Sequence, residues 1–255
     1  MEYPEYFARF YDFIYDRIRS GTDHAFFLDR MKETQGPVLE VGTGTGRFFK
    51  EALESGVDIY GIDISRSMLD VLKTKIATEQ HHRLSQQDVT NFDLDKKFSL
   101  VIAPFRVFSH ILKPDDQLCA LNNIHKHLVP GGKFIFDLFV PDLRLLLEGL
   151  DNQMDFEGEY EPGKKLRRYV SVKADIVNQI SVVTMKFSWD EDSGKKEQTW
   201  TIPFRFYFRY EIEHLIERSM LTLETIYGDY NGNPLEKESK EFVISCFSDL
   251  QSPLL

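Results

Sequence analysis

The sequence predicts an α/β protein: a mainly parallel sheet covered by helices on both faces, interrupted by a small antiparallel sheet. Three observations carry this expectation. From Pro37 onward, short apolar runs ending in Gly or Asp alternate with stretches of helical periodicity, the pattern of a doubly wound parallel sheet. After Leu150 the texture changes to period-two segments rich in β-branched and aromatic residues, and beyond Tyr210 the helix-and-strand texture returns. The chain has 255 residues, of which 42% are hydrophobic, enough for one full α/β core with a modest insertion and incompatible with a disordered or fibrous chain.

Each element follows in order. Between Pro4 and Glu33, Phe7, Phe10, Tyr11, Ile14, Tyr15 and Ile18, then Phe26, Phe27, Leu28 and Met31, recur at helical spacing, which predicts two helices joined near Gly21. Val38 to Val41, Asp58 to Ile62, Leu100 to Ala103 and Phe134 to Phe136 read as buried strands. Between them lie a helix after Gly46, one from Ser67 to Ala77, and one from Asp115 to Leu128 that stops before Pro130-Gly131-Gly132. In the inserted part, Tyr169 to Ile176, Gln179 to Trp189 and Gln198 to Tyr210 read as strands, and Asp190 to Gly194 is a hairpin signal. Phe204, Phe206 and Phe208 are expected on one packed side of that sheet. Glu211 to Met220 returns to helix, and Leu221 to Ile226 and Glu241 to Phe247 to strands that complete the first sheet. The expected division is therefore 1–150 with 210–255 as one domain and 151–209 as an insertion.

Thirty-one basic against forty-one acidic residues give a net charge of −10, which disfavours nucleic acid and anionic membrane as partners and favours a small molecule. No basic leader and no bilayer-length apolar run occurs, and two cysteines without a CxxC fit buried thiols in a reducing compartment. A cytoplasmic protein is expected. The seven histidines offer no metal site by spacing: His125 and His127 diverge on their helix, and His81-His82 stand at a strand start with no acid to complete a cluster.

The strongest motif is Val38 to Phe48, VLEVGTGTGRF: a strand, glycines at 42, 44 and 46, then a helix. Such glycines let the backbone turn sharply against a ligand, and N–H groups at a helix start receive an electronegative group, so a nucleotide-like ligand is expected. The spacing is GxGxG with Glu40 two residues ahead, unlike the GxGxxG of dinucleotide folds. Asp63, 21 positions after Gly42, ends the next strand, where a carboxylate can accept both ribose hydroxyls. Asp88, in LSQQDV, ends the strand beyond and is placed beside an adenine amine.

With these three acids at successive strand ends, the sequence resembles the class I S-adenosylmethionine-dependent methyltransferases, from about Tyr11 to Gly149 and again from Tyr210 to Phe247. The resemblance implies a Rossmann-like seven-stranded sheet with its last strand antiparallel. It implies Glu40, Gly42, Gly44 and Gly46 around the methionyl moiety, Asp63 on the ribose, and Asp88 with Val89 at the adenine edge. Pro104 and Phe105 then border the methionyl amine and the acceptor, and Thr43, Ile64 and Met68 are expected on the same wall. The match is most similar to small-molecule N-methyltransferases acting on nucleotide-linked amino sugars, through FYDFIY, GIDISRSML and the inserted antiparallel sheet. In such relatives a tyrosine of the N-terminal helix closes over the cofactor, which points to Tyr11 or Tyr15, although packing in the core is an open alternative for both. Arg106 stands where small residues are common.

His110, after the fourth strand, lies on the acceptor side, and with Tyr15 is the candidate catalytic residue; a merely buried histidine is the alternative. The segment from Tyr160 to Tyr210 holds ten basic and six acidic residues. Its Lys164, Lys165, Arg167 and Arg168, with Arg205, Tyr207 and Arg209, either face an anionic acceptor or form solvated strand faces. The insertion is expected to cover the acceptor or to pair subunits in a homodimer. The expected function is methyl transfer from S-adenosylmethionine to a small acceptor, an amine, by in-line positioning. An RNA methyltransferase and a non-catalytic cofactor-binding protein are the alternatives.

Overall fold

The computed structural model describes residues 2–18 and 21–249. Helices α1 (Glu5–Ile18) and α2 (Thr22–Glu33) follow the aromatic periodicity, with Gly21 between them at φ 80°; α1 buries Phe7, Ala8, Phe10 and Ile14. Then come β1 (Val38–Val41), α3 (Phe49–Glu54), β2 (Ile59–Asp63), α4 (Arg66–Lys73), β3 (Leu84–Gln86), β4 (Phe98–Ala103), α5 (Pro114–His127) and β5 (Leu128–Phe139). After α6 (Leu143–Glu148) four long strands follow: β6 (Leu150–Glu161), β7 (Lys164–Asp175), β8 (Ile180–Glu191) and β9 (Gly194–Arg205). The chain closes with α7 (Arg209–Glu217), β10 (Thr222–Tyr227) and β11 (Glu241–Phe247).

The seven-stranded sheet has the order β10-β11-β5-β4-β1-β2-β3, and only β11 runs antiparallel to its neighbours, as expected. Its alternating side chains build two cores. Leu39, Val41, Val101 and Phe136 meet α5 and α7 on one face, while Val38, Leu100 and Ile102 meet α2 and α3 on the other. A third core joins α1 to the separate sheet β6-β7-β8-β9, with Phe7, Phe10 and Ile14 against Leu166, Phe187 and Ile202.

Several boundaries differ from the sequence expectation for local reasons. Strand β6 was not expected, because acids alternate with Met154, Phe156 and Tyr160 and its pairing with β7 is broken by bulges. β7 starts five residues before Tyr169, since Lys164, Lys165 and Arg167 pair with acids across the sheet. β9 stops at Arg205, so the three alternating phenylalanines separate: Phe204 stays on the sheet, Phe206 enters the core, and Phe208 is exposed ahead of α7. β5 begins at Leu128 and absorbs Gly131-Gly132 as a bulge between Leu128 and Lys133. His81 and His82 sit in a 3-10 turn (Thr78–Arg83) before β3, and Cys119 is exposed, whereas Cys246 is buried. No described helix is long and apolar enough to cross a membrane, and among the described residues no His/Cys/Asp/Glu cluster could hold a metal.

Candidate active site

The parallel register sets the site. Glu40 lies level with Gly61 and Ile102, and Val41 with Ile62, so the loop after β1 and the acid ending β2 emerge side by side at the carboxyl edge of the sheet. Gly42 and Thr43 both donate backbone N–H groups to Ile62 O, at 2.8 and 3.1 Å. Gly42 has φ +71°, and a Cβ there would stand 2.4 Å from Val107 Cγ2, so only glycine fits. At Gly44 the nearest atom to such a Cβ is Met68 Cε at 3.6 Å, which leaves the backbone bare toward the cleft. Gly46, at φ +85°, faces Leu72, which a Cβ there would meet at 2.1 Å, and is not on the cavity wall.

Asp63 is buried, and its two oxygens accept Gly44 N and Ser65 N, each at 2.8 Å. It therefore ties the glycine loop to the start of α4, and burial raises its pKa. Each oxygen retains a lone pair for a further donor. Glu40 is 1% exposed and accepts Thr43 Oγ1 at 3.1 Å. Burial lifts its carboxyl to about 8, opposed by the Thr43 bond. Because the folded value lies above the unfolded one, the stabilisation of protonated Glu40 is complete below about pH 4.5 and is lost as pH rises through 8. Glu40→Gln, which mimics the protonated acid, should therefore withstand urea better than wild type at pH 8.5 and equally at pH 5. Asp88 spends Oδ1 on Thr90 N and Oγ1, at 2.9 and 2.8 Å, and lines the cavity beside Val89.

The loop after β4 forms the next wall. Pro104 is followed by two non-glycine residues in the left-handed region, Phe105 at φ 64° and Arg106 at φ 61°, a conformation costing roughly 1–3 kcal/mol per residue. The Phe105 ring meets Tyr15 at 5.3 Å and Tyr11 at 6.2 Å, and the Arg47 guanidinium at 5.7 Å. Arg47 is held by a bidentate bond to buried Asp23 on α2. Arg106 is on the cavity wall, where small residues are common in the family, and its guanidinium is engaged by Glu241 Oε1 of β11 at 2.6 Å.

Helix α1 lies across the cleft. Asp12 bonds Thr45 Oγ1 at 2.7 Å and Lys75 Nζ at 2.5 Å, which fastens α1 to the glycine loop. The Tyr11 and Tyr15 rings pack at 4.5 Å, tilted by 44°, and both residues line the cavity, so packing and cavity lining coincide. Tyr15 Oη accepts Arg168 Nη1 at 3.2 Å, and Arg168, 3% exposed, is clasped by Asp155 at 2.6–3.2 Å. Of the basic residues flagged in the insertion, Arg168 alone reaches the cavity; Arg167 pairs with Glu157, Arg205 with Glu211 and Arg209 with Glu213. Tyr207 is buried in the core. His110 lines the cavity with Nε2 3.2 Å from Tyr3 Oη and its ring 4.6 Å from Phe204. Burial pushes its pKa down to about 4, so the imidazole is neutral at pH 7.

These residues enclose one cavity of about 570 Å³, running from Gly44, Asp63, Ile64 and Met68 to Met185, Trp200 and Phe204 on the four-stranded sheet. Tyr3, Asp155, Met185 and Trp200 were not singled out in the sequence, and Phe7 only as part of the helical periodicity of α1. Period-two spacing marked Met185 and Trp200 as sheet residues, but nothing local told which face looks inward.

The topology, with an acid-capped glycine loop after β1 and an acid ending β2, defines the S-adenosylmethionine-dependent methyltransferase fold. Residues 38–132 match the family described as a methyltransferase domain. The chain is 30% identical over 131 residues to malonyl-[acyl-carrier protein] O-methyltransferase 1 of Ilyobacter polytropus, covering 48% of this chain and 47% of that one. It is similar in fold to an S-adenosylmethionine-dependent methyltransferase from Clostridium acetobutylicum (TM-score 0.78, 20% identity, covering 96% and 98% of the two chains). It is also similar to an amino pentose methyltransferase from Micromonospora echinaspora solved with S-adenosylmethionine bound (TM-score 0.69, 18% identity, 97% and 98%). The chain spans about half the length of the curated relatives it matches.

Proposed function

We propose that this protein transfers a methyl group from S-adenosylmethionine to a small amine. The observation that carries the reading is the single cavity joining the β1 loop and Asp63 to a chamber roofed by α1 and the four-stranded sheet. The donor set fits the cofactor: bare backbone at Gly44, free lone pairs on Asp63 and Asp88 for hydroxyl and amine hydrogens, and the aromatic edges of Tyr11 and Phe105. When bound, S-adenosylmethionine supplies a methyl group already activated by its sulfonium.

The chain's own task is positioning. Tyr11, Tyr15 and Phe105 form one aromatic cluster on the cavity wall, and Trp200, Phe204 and Met185 give the wall at the four-stranded sheet an apolar lining that disfavours water. The Asp155–Arg168 pair fixes Tyr15 Oη as the acceptor of an Arg168 N–H, which directs the tyrosine's own hydrogen elsewhere. An amine attacks only when neutral, and His110, itself neutral, can accept a hydrogen bond from such a nitrogen without adding a cation to the chamber; taking its proton would make the ring an imidazolium, which its burial disfavours. The sugar N-methyltransferase from Streptoalloteichus, of the same fold at 15% identity, supports an amino sugar as the acceptor class. Residues 151–209 are read as the acceptor cover.

Incubation with methyl-labelled S-adenosylmethionine and a panel of amino sugars, simple amines and RNA tests the reading. Label on an amine supports it, label on RNA favours the nucleic-acid alternative, and tight cofactor binding with no transfer to any class favours a non-catalytic protein. His110→Asn should slow transfer about tenfold to a hundredfold with cofactor affinity nearly intact. A loss beyond roughly 10⁴-fold would promote His110 from positioning to obligatory base.

A further inference from the structure

Behind the cleft, one fully buried acid governs the strained turn that delivers Phe105. Asp137 lies on β5 with 0% exposure. Its Oδ1 accepts the backbone N–H of Arg106 at 3.0 Å, and its Oδ2 accepts the Tyr230 hydroxyl at 2.5 Å. Tyr230 belongs to the connection between β10 and β11, packs on Phe26 and Phe27 of α2 at 6.0 and 6.2 Å, and is absent from the cavity wall. Arg106 is gripped a second time through its side chain by Glu241 on β11. The two consecutive left-handed residues, Phe105 and Arg106, are thus held by contacts from β5, β11 and the loop before it, none of which touches the cavity except through the turn.

A left-handed pair of L-residues persists only where its surroundings over-determine it. Released, the turn would relax toward ordinary backbone and draw the Phe105 ring away from Tyr11, Tyr15 and Arg47. We propose that Asp137 and Tyr230 are positioning residues of the cofactor cleft, acting through the Phe105–Arg106 turn. The inference rests on the cofactor reading above.

Titration calorimetry of the 255-residue protein with S-adenosylhomocysteine tests it, with thermal unfolding of the unliganded protein measured alongside. Tyr230→Phe removes one hydroxyl remote from the cavity, and the expected result is about three- to tenfold weaker binding. Asp137→Asn presents amide hydrogens where two donors already point, and should weaken binding about tenfold or more. Arg106→Gly accepts the left-handed conformation without strain. In that background only Phe105 remains a left-handed L-residue, so Tyr230→Phe should cost clearly less affinity than it does with Arg106 in place. Wild-type affinity in Tyr230→Phe, with only a lower melting temperature, would reduce the network to ordinary structure and overturn the proposal. So would an equal loss with and without Arg106→Gly. If Asp137→Asn does not fold, the Tyr230 and Arg106 pair completes the test. Absence of binding by wild type would instead sink the cofactor reading itself.

Discussion

Asp63→Ala should weaken S-adenosylhomocysteine binding by roughly 10²-fold or more. Two charge-assisted hydrogen bonds to the ligand's ribose, at about 1.5–3 kcal/mol each, already give that size. The structure adds a second loss. Asp63 holds Gly44 N and Ser65 N at 2.8 Å, so alanine leaves two N–H groups at the loop and at the start of α4 without their acceptor. Asp63→Asn keeps one acceptor oxygen and should fall between wild type and alanine. Calorimetry with the three proteins checks the order, and unchanged affinity in Asp63→Ala would mean that the ligand sits elsewhere.

Phe187→Ala is expected to cost about 3–5 kcal/mol in urea unfolding. Phe187 is 0% exposed at the centre of the core that joins α1 to the four-stranded sheet, with ring contacts to Tyr6 at 5.4 Å and Phe7 at 5.7 Å. Because α1 also carries Tyr11 and Tyr15, loosening this core should weaken S-adenosylhomocysteine binding although Phe187 is not on the cavity wall. Leu147→Ala, on exposed α6 at 79% exposure, serves as the control and should stay within about 0.5 kcal/mol of wild type. A small cost for Phe187→Ala would mean that α1 is held chiefly by its Asp12 bonds to Thr45 and Lys75.

The glycine loop, Asp63 and Asp88 were legible because parallel strands put their carboxyl ends on one edge, so residues at strand ends converge whatever lies between. Met68 and Ile64 followed from their place just after such an end. For Gly46 the spacing tells that the turn needs glycine, and only the packing against Leu72 tells what a side chain there would meet. Arg168 stood in a run of four basic residues that looked alike. Pairing register sent Lys164, Lys165 and Arg167 to acids at the sheet surface and Arg168 inward to Asp155 and Tyr15.

From the sequence alone came the doubly wound sheet with its inserted β segment, the acids at the strand ends and the aromatic faces of α1, since periodicity and turn chemistry act within a few residues. The tertiary structure alone decided which residues close the cavity. Tyr3 meets His110 across 107 positions, Arg168 meets Tyr15 across 153, and Arg106 meets Glu241 across 135. Contacts at such separations depend on how α1 docks on the second sheet and how β11 inserts beside β5, and no local pattern encodes either packing.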